Sequence, residues 1–246
     1  MENMACETDA KISATGNKKE GGQTIENIEA IENKEVEKIK KMKSVMIEYL
    51  RTYPIKFRRF EEAEKELREA IRLNLNDAEA HNDLGILFNA LKLYKDAEKE
   101  FREAIQLNPN LAEAHNGLGI LFYALKLYKD AEKEFREAIQ LNPNLAEAHN
   151  GLGILLYALN RYKEAEKEFR EAIRLNPNLA EAHNGLGVLL YALIRYKEAE
   201  KEFREAIRLN PNFAAAHNNL GNLFDDLKRF EEAEMEYREA IRLNPK

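Results

Sequence analysis

The chain carries five histidines, His81, His115, His149, His183 and His217, each 34 residues from the next. Imidazole is both a metal ligand and an acid–base group near neutral pH, so a regular row of them invites a zinc or proton-transfer reading. Spacing argues against metal. Neighbouring helices pack about 8–10 Å apart, zinc ligands converge on one ion at about 2.0 Å, and each histidine is alone in its stretch of 34 residues. Acidic runs such as EAEKEFREAI alternate with Lys and Arg at helical spacing, Glu132 with Arg136 for example, and read as a solvated outer face. Gly-Leu-Gly at 117–119, 151–153 and 185–187 lacks the preceding strand that a phosphate-binding loop requires. No Ser-His-Asp or Cys-His arrangement has a plausible neighbourhood, so no catalytic residue, cofactor or metal is expected.

The elements that must position these side chains belong to a chain of 246 residues, 44% apolar, which is ample for a buried core. Acidic side chains outnumber basic ones, 44 to 38, and the net charge of −6 argues against a phosphate-binding surface. The single cysteine, Cys6, excludes an internal disulfide and a multi-cysteine zinc site. No window approaches 18 consecutive apolar residues. The opening MENMACETDAK lacks the basic and apolar regions of a secretory signal, so a cytoplasmic protein is expected.

Five of the six prolines share the histidine period: Pro109, Pro143, Pro177, Pro211 and Pro245. A fixed period of this size is the signature of a repeat array. In register, the units are 78–111, 112–145, 146–179, 180–213 and 214–246, and the first differs from the second only at Asp83 and Asn89. With the first Ala as position 1, apolar residues fall at 3, 7, 10, 11 and 14, then at 17, 20, 24, 27, 28 and 30. Such spacing predicts two helices, about 2–14 and 18–30. The short connection near position 15 makes them antiparallel. Asn-Pro at positions 31 and 32 ends the second helix, and the proline is expected to open the next. Mid-helix glycine at position 8 (Gly85, Gly119, Gly153, Gly187, Gly221) costs about 1 kcal/mol against alanine. It is expected to face the small Ala131 and Ala138 type of residue at positions 20 and 27. Upstream, 44–77 repeats the second half of a unit from Phe60 to Asn74, while Arg51 and Leu75 stand where Gly and Pro belong.

Leu at position 7, Gly at 8, Ala at 20, an aromatic or Leu at 24, Ala at 27 and Pro at 32 resemble the tetratricopeptide repeat, strongly over 78–246 and partly over 44–77. Two departures are His at position 4 and Phe or Leu at position 11, where the family usually has large aromatics. The resemblance implies an all-α, right-handed superhelical solenoid of antiparallel helix pairs whose first helices line a concave groove. It also implies that the histidines pack between helices, and that the protein is a non-catalytic scaffold for protein–protein interaction.

In such a fold, positions 2, 5, 9, 12 and 13 line the groove. Position 5 is a ladder of Asn82, Asn116, Asn150, Asn184 and Asn218, whose amides donate and accept and so suit the backbone of an extended segment. Position 9 supplies Ile86, Ile120, Ile154 and Val188, and position 12 supplies Tyr123, Tyr157 and Tyr191, residue types that make contact area. Position 2 puts Glu79, Glu113, Glu147 and Glu181 along the rim. The partner expected is a basic, apolar protein or peptide segment, with no nucleic acid and no stable membrane insertion. The family's carboxylate clamp for acidic chaperone tails needs Lys or Arg at positions 2, 5 or 6, and none is present there.

Residues 1–23 are polar and expected to be disordered. Residues 24–43 read as a helical extension, with Lys38, Lys40, Lys41 and Lys43 beside apolar residues, either capping the first repeat or touching a partner. After the last second helix a stripe with Ala233, Tyr237 and Ile241 is expected to be left without a cover. Since terminal repeats normally need a cover, the alternative expected role is self-assembly, with homo-oligomers formed through the solenoid ends or the N-terminal extension.

Overall fold

A computed structural model describes residues 54–245 of the protein; the polar tail and the N-terminal extension lie outside the described residues. The chain divides into two compact units, Met1–Glu62 and Ala63–Lys246. Of the first unit, Pro54–Glu62 are described and form the opening of helix α1, Pro54–Leu73. Proline suits that place because the first helical N–H groups have no intrahelical acceptor.

The second unit holds the rest of α1 and five helix pairs: α2 (Ala78–Ala90) with α3 (Tyr94–Leu107), α4 (Ala112–Ala124) with α5 (Tyr128–Leu141), α6 (Ala146–Ala158) with α7 (Tyr162–Leu175), α8 (Ala180–Ala192) with α9 (Tyr196–Leu209), and α10 (Ala214–Asp226) with α11 (Phe230–Leu243). No strand occurs among the described residues. Within each pair the helices pack on one another, each second helix packs on the next first helix, and successive first helices touch. Each unit therefore touches only its neighbours, the defining property of a solenoid. Helices begin at positions 1 and 17, one residue earlier than the apolar spacing predicts.

Two turns set the period. Asn108, Asn142, Asn176 and Asn210 end the second helices with φ between −133° and −137°, the extended conformation forced on a residue preceding proline. Each asparagine oxygen then accepts the N–H two residues on, as Asn142 Oδ1 does from Asn144 at 3.1 Å. Proline sits inside this turn and does not open the next helix: Pro109 precedes α4 by three residues. Within each pair, position 15 is left-handed, with φ of 59–61° at Lys92, Lys126, Asn160, Ile194 and Lys228. A β-branched residue pays most for that conformation, and Ile194 is also exposed.

The phenylalanines at position 24 of units one to three, Phe101, Phe135 and Phe169, each lie between two glycines, while Phe203 meets Gly187 alone because Asn219 replaces the second. A Cβ on Gly119 would meet the Phe135 ring at 2.8 Å and one on Gly151 of the next unit would meet the same ring at 2.5 Å; Phe169 relates likewise to Gly153 and Gly185. Phe101, Phe135, Phe169 and Phe203 are fully buried. The glycine at position 8 thus faces an aromatic ring, not the alanines at 20 and 27; those alanines are buried beside it. Its propensity cost of about 1 kcal/mol is offset by packing a large ring against bare backbone on both sides, which removes ring and helix surface from water together.

Arginine at position 16 adds a clamp across three junctions. Arg161 bridges Glu132 of the preceding unit at 2.8 Å and its own Glu164; Arg195 bridges Glu166 at 2.8 Å and Arg229 bridges Glu200 at 3.0 Å. Burial alone would raise the Glu132 and Glu166 carboxyls, but their two arginines outweigh it and hold both below the usual carboxylate range. Units one and two carry Leu93 and Leu127 at this position, and Leu127 is 46% exposed.

The ring clamp reverses the usual effect of replacing helical glycine. Gly151→Ala should lower stability by about 1–3 kcal/mol through overpacking, although propensity alone would raise it. Chemical denaturation of the full chain measures this; a more stable variant would contradict the packing.

Candidate functional site

The histidine row and the asparagine–tyrosine row have different surroundings. Each histidine pairs with the glutamate 19 residues on: Nδ1 to Oε2 distances are 2.7 Å for His81–Glu100 and His115–Glu134, and 2.6 Å for His149–Glu168, His183–Glu202 and His217–Glu236. At His149, His183 and His217 the other ring nitrogen lies 3.2 Å from the carbonyl oxygen of Pro143, Pro177 and Pro211. Carboxylate and carbonyl both accept, so the ring satisfies both only when both nitrogens carry hydrogen, as imidazolium. The glutamate hydrogen bond is the main cause raising the pKa of His115, His149 and His183, partly countered by burial.

These pairs tie first helix to second, and at three histidines they also tie a unit to the turn before it. The histidines do pack between helices. The acidic runs, however, are not wholly solvated: the glutamate at position 23 is the histidine's partner, with the Glu100 side chain 10% exposed. The constant His-to-Glu separation was visible in the sequence, but a 19-residue offset joins two helices and has no meaning until their pairing is known. Glu132–Arg136 forms the expected pair one turn apart. Among the described residues no three His, Cys, Asp or Glu side chains are gathered as metal ligands.

On the face carrying positions 2, 5, 9 and 12, Asn82 is buried, Asn116, Asn150 and Asn184 are half-buried, and Asn218 is exposed. Ile86 and Ile120 are exposed, Ile154 and Val188 half-buried, and Glu79, Glu113, Glu147 and Glu181 exposed. Tyr123, Tyr157 and Tyr191 are half-buried, and each leans on the tyrosine that opens the second helix. Ring centroids lie 5.9 Å apart for Tyr123–Tyr128 and 5.7 Å apart for Tyr157–Tyr162 and Tyr191–Tyr196. Those second tyrosines were overlooked because position 17 reads as part of the apolar stripe between helices. Two contacts cross from the fourth unit to the fifth: Asn219 Nδ2 donates to Asn184 Oδ1 at 2.9 Å, and the Tyr191 hydroxyl donates to Asp226. Asp226 is the main reason that the Tyr191 pKa is pushed up to about 12. The face as a whole offers amides, aromatic area and carboxylates, a set suited to holding a polypeptide.

The tetratricopeptide repeat family profile matches residues 55–112, 96–146, 117–180, 150–211 and 184–246. Among solved structures, PilF of Pseudomonas aeruginosa is 24% identical with a TM-score of 0.62, covering 69% of this chain and 77% of its own. A thermophilic TPR protein of Thermus thermophilus is 23% identical with a TM-score of 0.62, covering 69% and 92%. YrrB, described as a TPR protein with an unusual peptide-binding site, is 25% identical with a TM-score of 0.50, covering 73% and 92%. No curated protein matches the sequence.

His115, His149 and His183 make stability depend on pH. A histidine whose pKa is raised on folding contributes stability that is fully present below its unfolded value of 6.5 and fades as pH climbs through the higher folded value. The thermal midpoint should therefore fall as pH is raised from about 6.5, and a His149→Gln, His183→Gln double variant should show a shallower fall. Circular dichroism melts across that range test this; a midpoint that is flat or rises would contradict the imidazolium assignment.

Proposed function

The chain belongs to the tetratricopeptide repeat family, and from that premise we propose that it is a non-catalytic scaffold holding a peptide or helical segment of another protein in its groove. The observation that carries this reading is the row of Asn116, Asn150 and Asn184 beside Tyr123, Tyr157 and Tyr191, polar and aromatic side chains left half-buried along one face of successive first helices. Each tyrosine pair presents ring area at small entropic cost. The exposed Glu113, Glu147 and Glu181 favour a basic segment over an acidic one. The likeness to YrrB, with its peptide-binding site, supports a peptide partner. No described helix is long and apolar enough to cross a membrane; the reading places the protein in the cytoplasm.

A second reading, self-assembly, is favoured by the exposure of Phe230, Met235 and Ile241 along α11. Light scattering over a concentration series separates the two, since only self-assembly makes the particle grow with concentration.

Replacing Asn150 and Tyr157 together by Ala should leave helicity unchanged and weaken a captured partner by about 10-fold or more, the scale of a lost hydrogen bond plus aromatic contact. Pull-down and titration calorimetry measure this; undiminished binding would refute the groove assignment.

A further inference from the structure

Across each junction, a residue of one first helix meets the residue 35 further on. The two hydrogen bonds between the fourth and fifth units show the rule: Asn184 with Asn219, and Tyr191 with Asp226. Applied to the earlier junctions, it sets Asn82, Asn116 and Asn150 against Gly117, Gly151 and Gly185, and sets Asn89, Tyr123 and Tyr157 against Ala124, Ala158 and Ala192. Glycine and alanine have no polar side-chain atom to offer. Accordingly, the buried side-chain oxygens without a hydrogen-bond partner belong to Asn82, Asn89, Asn116 and Asn150, among the described residues. All four face a glycine or an alanine by this rule. Asn82 is 7% exposed, and a buried polar atom left unpaired costs about 1–3 kcal/mol, so a row of them marks hydrogen-bonding capacity that the chain itself does not use. The first helices α8 and α10 also touch over fewer residues than the earlier neighbours do, as expected where Asn replaces Gly between them.

We propose that the groove has a built-in end: Asn219 and Asp226 fill from within the chain the positions that the first three junctions leave free, so that the bound segment is read by units one to four and stops short of unit five. This rests on the groove reading above, and its occupant is the same, an extended basic and apolar segment. The exposed glutamates Glu79, Glu113, Glu147 and Glu181 run along units one to four, whereas unit five has Ala215 at that position and places Asn222 where the others have Ile or Val. Charge and apolar contact therefore stop at the junction where Asn184, the next amide after the unpaired ones, is taken up by Asn219. Asn219 and Asp226 act as specificity residues that set the length and register of the partner.

The test uses the full chain and peptides selected against it from a random phage-displayed library. Hydrogen exchange of the complex should show protection on α2, α4, α6 and α8 with α10 unchanged. An Asn219→Gly, Asp226→Ala variant carries the residues found at those positions in units two to four. It should keep its helicity, extend protection onto α10 and bind a longer selected peptide about 10-fold tighter, the scale of two regained hydrogen bonds. Asp226→Ala alone should also bring the Tyr191 pKa down from about 12 in an ultraviolet titration, which checks the contact independently of any ligand. Protection of α10 in the unaltered chain, or a double variant that binds no tighter, overturns the built-in end while leaving the groove intact. Selected peptides that protect none of the first helices, or no selected peptide at all, overturn the groove reading as well.

Discussion

A phenyl ring held between two glycine backbones fixes the geometry of this solenoid. Phe135 touches Gly119 of its own unit and Gly151 of the next, and neither position has room for a methyl group without a shift. One side chain thus sets the distance within a helix pair and the distance between pairs. Interiors packed to crystal density transmit such constraints with little slack. The same ring and the same two glycines recur at the first three junctions, and departures from that pattern stand out, as Asn219 does in place of glycine at the fourth. Tyr237 takes the phenylalanine's place in the last unit, and its hydroxyl finds Asn222 at 2.9 Å.

Because the junctions repeat, the surfaces they create repeat as well. A constant offset of 35 residues relates neighbours along the first helices, and one of 29 residues relates the arginine at position 16 to a glutamate of the unit before. The histidine pairs sit between these two lattices and report on the same packing, since a ring nitrogen of His149 reaches the carbonyl of Pro143 in the preceding turn. Stability and the surface of the proposed groove thereby rest on one set of spacings. A substitution that moves a ring moves the amides above it.

What could be read from the residues alone was what depends on period. The helix pairs and their antiparallel course follow from spacing within 34 residues, and the family from the residue types at positions 7, 8, 20, 24, 27 and 32. What could not be read depends on which side chains meet across helices. The glycine at position 8 was paired with alanine because small residues commonly oppose small ones, but the ring at position 24 is the side chain whose shape needs bare backbone. Pro109 was placed at a helix start, and the asparagine turn before it takes up three residues instead. Glu168 read as one solvated acid among many, because nothing local distinguishes it from Glu166, which binds Arg170 and Arg195.

The two ends of the array differ in complementary ways. Arginine clamps tie units two to five, whereas Leu127 leaves the junction of units one and two without one. The unpaired asparagine oxygens run the other way, from unit one through unit three, and are closed at the junction with unit five. In a solenoid, stability is close to a sum of unit and junction contributions, so the clamped part is the firmer one. Unpaired oxygens and clamps overlap at the two middle junctions; the junction of units one and two has unpaired oxygens and no clamp, and that of units four and five has a clamp and a paired asparagine. Near-identical repeats have therefore been differentiated junction by junction through a few substitutions, Arg for Leu at position 16, Asn for Gly at position 6 and Asp for Ala at position 13.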